Sequence, residues 1–252
     1  MRRKLVVGNW KMHGSKAQVS QLTTAIIAGC AELNAAVEIG ICPTFLHLGL
    51  VAEIAGASAI KIGAQDAYHE VSGAYTGEVS VSMLPEFGVA FVIVGHSERR
   101  ADFGDTDSLV ASKFMAAQQF GMTPILCVGE TLEQRQQDAT EAVVLAQLDA
   151  VIDAAGIEAV GNAILAYEPI WAIGTGQTAT PEQAQHVHQF IRDHLAARSK
   201  EVASVTRIIY GGSVKSDNAK ELFEQADIDG GLVGGASLQA EEFISICKSA
   251  DQ

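Results

Sequence analysis

Glu168 is the first charged residue after the apolar run Ala163–Tyr167, and Pro169 follows it at once. Proline lacks the N–H that a strand continuation would use, so Glu168 stands where a strand ends and a loop begins. The next residues mix Ile170, Trp171 and Ile173 with Gly174 and Gly176. That composition suits a loop that closes over something and buries its own apolar face. Thr180-Pro181-Glu182-Gln183 then predicts a helix start, with Thr180 as N-cap, proline at the first helical position and Gln183 completing a capping box. Glu168 is therefore a candidate base under a lid.

Three further groups stand directly after apolar runs. His96 leaves the run Phe91–Gly95. A histidine so close to a core is usually structural, but Ser97 and Glu98 can open a short helix whose free N–H groups favour neutral imidazole. Neutral imidazole can donate a hydrogen bond to a carbonyl oxygen that gains negative charge. Lys11 lies just past the first run, beside Asn9. Most lysines are solvated surface charges; one at this position could hold a phosphate or polarise a carbonyl oxygen. Gly211-Gly212-Ser213 and Gly234-Gly235 follow the last two runs. Either pair alone could simply make a tight turn. Together, at successive strand ends, they point to backbone N–H groups that bind phosphate.

The elements that must position these groups alternate along the chain. Strand-like runs are Leu5–Val7, Val37–Cys42, Ile60–Ala64, Phe91–Gly95, Pro124–Val128, Ala163–Tyr167, Arg207–Tyr210 and Gly231–Val233. Helical periodicity occupies Ser15–Glu32, Phe45–Ala55, Val79–Phe87, Thr106–Phe120, Leu132–Ala155, Pro181–Arg198, Asp217–Gln225 and Glu241–Ala250. Nearly continuous apolar runs suit parallel strands covered on both sides. An open doubly wound sheet is the competitor, but no GxGxxG follows the first run, and eight repeats favour closure. The expected fold class is α/β, a single (β/α)8 barrel spanning residues 1–252 as one domain. Its strand C-termini would then form the active face. The segment Gln65–Glu78, with Tyr68, Val71 and Tyr75, stands outside the alternation and hints at a subunit contact.

At 252 residues, 48% hydrophobic and 19% charged, the chain can bury a large core. A formal charge of −13 disfavours nucleic acid and anionic membrane surfaces as partners. Any anionic substrate must then be held by a local site. Cys30, Cys42, Cys127 and Cys247 show no metal-ligand spacing and suit reduced thiols, with Cys127 in a strand core. His186 and His188, two apart on a helix, would face different ways and make no metal pair. The N-terminal apolar run stops at Gly8-Asn9, too short for a signal-peptide core. A soluble, cytoplasmic protein is expected.

Seven segments carry a family resemblance: Gly8–Met12, Ser72–Glu78, Val94–Arg100, Cys127–Glu130, Ala166–Gly176, Tyr210–Val214 and Leu232–Ala236. In this order, from residue 5 to about residue 247, they resemble the triosephosphate isomerase family. The resemblance implies interconversion of dihydroxyacetone phosphate and D-glyceraldehyde 3-phosphate through an enediol(ate), in glycolysis and gluconeogenesis, without metal or organic cofactor. It implies Glu168 as base, His96 as electrophile, and Asn9 and Lys11 as substrate contacts. Gly174, Ser213, Gly234 and Gly235 would hold the phosphate. Ile173 and Leu232 resemble the apolar pair that shields the base, with Ile170 adding cover. The family resemblance also implies a homodimer in which the Gln65–Glu78 loop enters the partner, bringing Thr76 near the neighbouring site. His13 and Tyr75 depart from the family's common asparagine and phenylalanine. Two rival readings are a phosphosugar epimerase and a catalytically idle metabolite-binding barrel; the presence of Glu168, His96 and Lys11 weighs against the second.

Overall fold

The computed structural model of the chain describes residues 2–33, 37–174 and 178–251. Its strands are β1 (Lys4–Asn9), β2 (Val37–Cys42), β3 (Lys61–Ala64), β4 (Val89–Val94), β5 (Thr123–Val128), β6 (Ile164–Tyr167), β7 (Arg207–Tyr210) and β8 (Gly230–Val233). Each pairs in parallel with the next, and β8 returns to β1 to close a barrel. The fold is a single (β/α)8 barrel. Around it run α1 (Lys16–Cys30), α2 (Phe45–Ala55), α3 (Ser97–Asp102), α4 (Asp107–Gln119), α5 (Leu132–Gln136), α6 (Thr140–Ala155), α7 (Ile157–Gly161), α8 (Pro181–Arg198), α9 (Lys200–Val205), α10 (Ala219–Phe223) and α11 (Ala240–Ser249).

The continuous apolar runs are explained by two separate cores. Leu5, Val7, Phe91, Ile93, Ile125, Cys127, Ile164 and Ala166 belong to one buried cluster. Their immediate neighbours Val6, Val92, Leu126 and Leu165 belong to the other, together with helix residues such as Ile26, Phe114 and Ile191. A strand's side chains alternate between faces, so the first set fills the barrel and the second meets the helices. The same alternation sets Asn9 after Leu5 and Val7, and Glu168 after Ile164 and Ala166, on the inward side at the barrel mouth.

Three helical expectations change. No α-helix occupies Val79–Phe87; Ser80 makes an isolated bridge with Tyr68, and only a 3-10 turn forms over Leu84–Phe87. Pro85 opens that turn, and Gly88 ends it at φ 68°. The stretch Leu132–Ala155 divides into α5 and α6, because Asp138 takes a left-handed backbone at φ 54°. The stretch Asp217–Gln225 shortens to α10, short helices α7 and α9 add turns to the simple alternation, and α3 forms at Ser97 as expected. The helix start at Thr180 forms as the sequence predicts, with the reciprocal Thr180 and Gln183 bonds of a capping box. His188 is fully buried on α8 and burial pushes its pKa down to about 4, whereas His186 is exposed.

The final closure imposes the tightest backbone constraint. Gly230 lies opposite Leu5 at φ 132°, and a Cβ there would meet the Leu5 carbonyl oxygen at 1.9 Å. Gly121 also has a positive φ, 75°, but open space around it. Gly230→Ala is expected to destabilise the fold by more than about 4 kcal/mol, and Gly121→Ala by only about 1–2 kcal/mol. Urea-unfolding midpoints check the pair; equal losses would remove the seam from its special place.

Candidate active site

At the C-terminal ends of the strands lies a cavity of about 500 Å³. Asn9, Lys11, His96, Glu168, Gly174, Ser213, Gly234 and Gly235 all line it, from loops spread across the barrel. Ile173 and Leu232 line it as well; Ile170 does not, and its N–H is bonded to the Glu130 carbonyl at 3.1 Å. Gly174 is exposed at φ 70°, while Gly176 lies outside the described residues.

Glu168 is 2% exposed and surrounded by compensating partners. Its Oε2 accepts the Ser97 N–H at 2.8 Å, at the first turn of α3. Its Oε1 stands 2.9 Å from His96 Nε2. Burial alone would raise the carboxyl pKa; the facing His96 and the bonds from His96 and Ser97 outweigh it and hold the group below its usual range. In this arrangement the polar partners, and not apolar cover, decide the carboxylate's basicity.

His96 is the N-cap of α3, and its Nδ1 accepts the Glu98 N–H at 3.2 Å. Burial pushes the His96 pKa down, while the Glu168 carboxylate more than offsets that and draws it up. Nδ1 cannot take a proton without giving up the Glu98 bond. We therefore assign neutral imidazole with the proton on Nε2, directed toward Glu168.

Lys11 adopts a left-handed backbone, φ 49°, that a lysine seldom takes. Its N–H is bonded to Asn9 Oδ1 at 3.0 Å, and its carbonyl accepts Gln65 Nε2 at 2.8 Å. That frame turns the side chain inward, where Nζ pairs with Glu98 Oε1 at 2.5 Å. A Cβ on Gly234 would lie 3.4 Å from Lys11 Cε, so the cation runs beside the last glycine turn.

The two glycine pairs have different tasks. A Cβ on Gly211 would come within 2.9 Å of Glu168 Cγ, and one on Gly212 within 2.2 Å of the Tyr210 hydroxyl. Gly211 also gives its N–H to the Tyr167 carbonyl at 2.7 Å. The first pair is thus closely packed against Glu168 and Tyr210, and both of its glycines also line the cavity. Gly235, by contrast, faces open space at the cavity. Ser213 lines the same cavity between the two pairs.

A sequence profile described as Triosephosphate isomerase matches residues 4–250. The chain is 54% identical over 249 residues to a protein of Nitrosomonas europaea named triosephosphate isomerase, covering 99% of this chain and 98% of that one. It is 55% identical over 250 residues to the protein of that name from Thiobacillus denitrificans, covering 99% of each. A third of the same name, from Dechloromonas aromatica, is 53% identical over 251 residues and is covered in full. The chain belongs to the triosephosphate isomerase family.

Glu130 lies in the Cys127–Glu130 segment, but its role is not legible in the sequence. Within this triosephosphate isomerase family member, Glu130 is fully buried and gathers four donors at the start of the loop after Glu168. Tyr167 donates its hydroxyl at 3.1 Å, Trp171 its indole N–H at 2.8 Å, Arg135 a guanidinium N–H at 3.2 Å, and Ile170 its backbone N–H to the carbonyl. The Arg135 guanidinium also lies 4.5 Å from the Trp171 ring centre. The available signal was a carboxylate after a strand-end glycine, but nothing in the sequence said where its partners were. Gly129 was similarly opaque: a Cβ there would meet the Glu168 carbonyl oxygen at 1.8 Å.

Nitrogen chemical shifts of His96 at pH 7 are expected to show a bare Nδ1 and a protonated Nε2. An imidazolium pattern, with both nitrogens protonated, would overturn the assignment.

Proposed function

We propose that the chain is a triose-phosphate isomerase that interconverts dihydroxyacetone phosphate and D-glyceraldehyde 3-phosphate through an enediol(ate). The observation that carries the reading is one cavity in which the Glu168 carboxylate and His96 Nε2 stand 2.9 Å apart, with Lys11 and the open Gly234–Gly235 turn lining the same space. A glutamate base, a neutral histidine and a closing loop are the established assignment for triosephosphate isomerases and are carried over here as such.

The chemistry follows from the arrangement. The phosphate is held by the backbone at Gly234, Gly235 and Gly174 and by Ser213, with Lys11 supplying positive charge. Asn9 and Lys11 fix the carbonyl end. The substrate oxygen takes the His96 Nε2–H that is now directed at Glu168. Glu168 leaves Ser97 and His96 to reach the substrate carbon, and so loses the partners that keep its pKa low. With Ile173 and Leu232 beside it and water excluded, burial then dominates and the carboxylate becomes a stronger base. It removes a proton from one carbon and returns it to the next. Lys11 and the His96 donor stabilise the oxyanion formed between those steps. On this reading no metal or organic cofactor enters the scheme, the reaction belongs to glycolysis and gluconeogenesis, the enzyme is cytoplasmic, and residues 1–252 form one domain.

The homodimer is proposed on the family resemblance and on apolar exposure. Among the described residues, Met12 is 91% exposed, Leu46 91%, Met83 55%, Val71 45% and Tyr75 41%. They sit on the segments after β1, β2 and β3, which are adjacent strands at the active end. Burying them against a second copy accounts for one contiguous apolar rim. Within the Gln65–Glu78 loop, the Tyr68 and Tyr75 rings pack at a tilt of 49° with their centres 4.8 Å apart, giving the loop a firm body for insertion.

A coupled assay on D-glyceraldehyde 3-phosphate, with and without chelator, is expected to show isomerisation that chelation leaves unchanged. Loss of activity on chelation would overturn the cofactor-free scheme, and no isomerisation at all would overturn the function. Glu168→Asp draws the carboxylate back and should lower kcat by roughly a hundredfold or more, with phosphate binding kept. Light scattering on the eluted protein should give twice the chain mass of 26.5 kDa. Leu46→Glu should shift it toward monomer and lower kcat; a wild-type monomer would remove the proposed interface.

A further inference from the structure

The phosphate cradle of the proposed reaction is made by two segments that the barrel itself joins only loosely. Ser213 belongs to the loop after β7, and Gly234 and Gly235 to the turn after β8. β7 and β8 share a single register pair, Tyr210 with Gly231, whereas β6 and β7 share four. That pairing ends at Tyr210, so ladder hydrogen bonds do not fix the segment after it against the turn after Val233.

Each segment is braced within itself. Asn218 donates its Nδ2–H to the Ser213 carbonyl at 3.1 Å, and its Oδ1 accepts the Lys215 N–H at 2.8 Å. On the other side the fully buried Ser237 donates its N–H at 2.8 Å and its hydroxyl at 2.7 Å to the Gly234 carbonyl. These bonds are local and leave the placement of one segment against the other open. Glu242 supplies it. This residue lies in the first turn of α11, where a carboxylate complements the helix N-terminus. Glu241 meets that need equally well and stays exposed. Glu242 is instead half-buried, and both of its oxygens engage Ser216, 26 residues away in the loop after β7. Oε1 accepts the Ser216 N–H at 2.7 Å, and Oε2 accepts the Ser216 hydroxyl at 2.9 Å. Glu242 also lines the cavity, together with Ser213, Gly234 and Gly235. A carboxylate there repels an incoming anion, so its presence calls for a compensating task.

We propose that Glu242 is a positioning residue for the substrate phosphate: its carboxylate, bound through both oxygens to Ser216, sets the loop that carries Ser213 against the turn that carries Gly234 and Gly235. The inference rests on the phosphate-holding role proposed above for those three residues. The two bonds are charge-assisted and converge on one residue, so they fix direction as well as distance. The cradle is then formed before the phosphate arrives, and its two walls need no ordering at the binding step.

Charge and position predict opposite signs when this carboxylate is neutralised. Glu242→Gln removes a negative charge from the cavity, yet its single acceptor oxygen can keep only one of the two Ser216 bonds. If repulsion were the whole effect of Glu242, the variant would bind phosphate more tightly. Loss of a positioning residue weakens it.

Calorimetric titration with inorganic phosphate should show Kd rising about tenfold in Glu242→Gln. On D-glyceraldehyde 3-phosphate, KM should rise by a similar factor while kcat falls by less than about threefold. Glu242→Asp keeps the charge one methylene short of Ser216 and should lose affinity likewise. Ser216→Ala, which retains the backbone N–H, should raise Kd about threefold. Combined with Glu242→Gln it should cost less than the product of the two single effects, because both remove parts of one contact. Unchanged or tighter phosphate binding in Glu242→Gln would overturn the proposal. So would wild-type affinity in Glu242→Asp, or a fall in kcat with KM unmoved. Should the Glu242 variants fail to fold, wild-type affinity in Ser216→Ala overturns it alone. A wild-type chain that bound no phosphate would overturn the cradle itself. The titration needs no turnover, so a chain that binds phosphate but does not isomerise refutes the proposed reaction and leaves this test standing.

Discussion

A carboxylate that must stay charged without water is the constraint on which this structure turns. Glu168 is buried, and burial by itself favours its neutral form. An ionised group in such a place persists only when fixed dipoles replace its hydration. The replacement comes from a different strand: α3 starts immediately after β4, and its first N–H and its N-cap imidazole both face Glu168. Parallel closure is what brings the end of β4 opposite the end of β6. Clearance for the carboxylate comes from two glycines, Gly129 and Gly211, whose missing side chains would otherwise occupy its backbone or its stem.

The segment after Glu168 is governed by a second buried carboxylate. Glu130 draws donors from Tyr167, Trp171 and Arg135, so the beginning of the loop is tied to the barrel while Gly174 stands exposed at its far end. Glu168 and Glu130 are thus neighbours with opposite duties. One lines the cavity and is held by Ser97 and His96, and the other is enclosed behind it by Tyr167, Trp171 and Arg135. Such a division allows a loop to move without losing its root.

Closure of the barrel creates a complementary demand on the opposite side. At the β8–β1 seam, Gly230 permits close strand approach, Gly8 admits Ser237 and Phe243, and Gly29 admits Ile244. Three absent side chains let the last strand and last helix fit against the first ones. The glycine turn at Gly234–Gly235, which lines the cavity, lies in the chain between β8 and α11.

The fold class and eight of the residues that line the cavity were legible in the amino-acid order. Apolar runs mark strands, and a polar or glycine residue after each run marks its mouth-facing end, so Asn9, His96, Glu168 and Gly234 could be placed on one rim before any coordinates. Local chemistry was equally readable at Thr180–Gln183, where a capping box acts within four residues. Other features depended on groups distant in sequence. The split at Asp138 rests on one left-handed residue inside a helical pattern, and the loss of a helix before β4 on a bridge between Tyr68 and Ser80. The close packing at Gly211–Gly212, the anchoring by Glu130 and the lowered pKa of Glu168 required knowing which side chains arrive from other strands. Periodicity and strand-end punctuation are local properties, so sequence determined the frame and the members of the site. Electrostatic compensation and steric clearance are properties of neighbours in space, and only the closed barrel decided them.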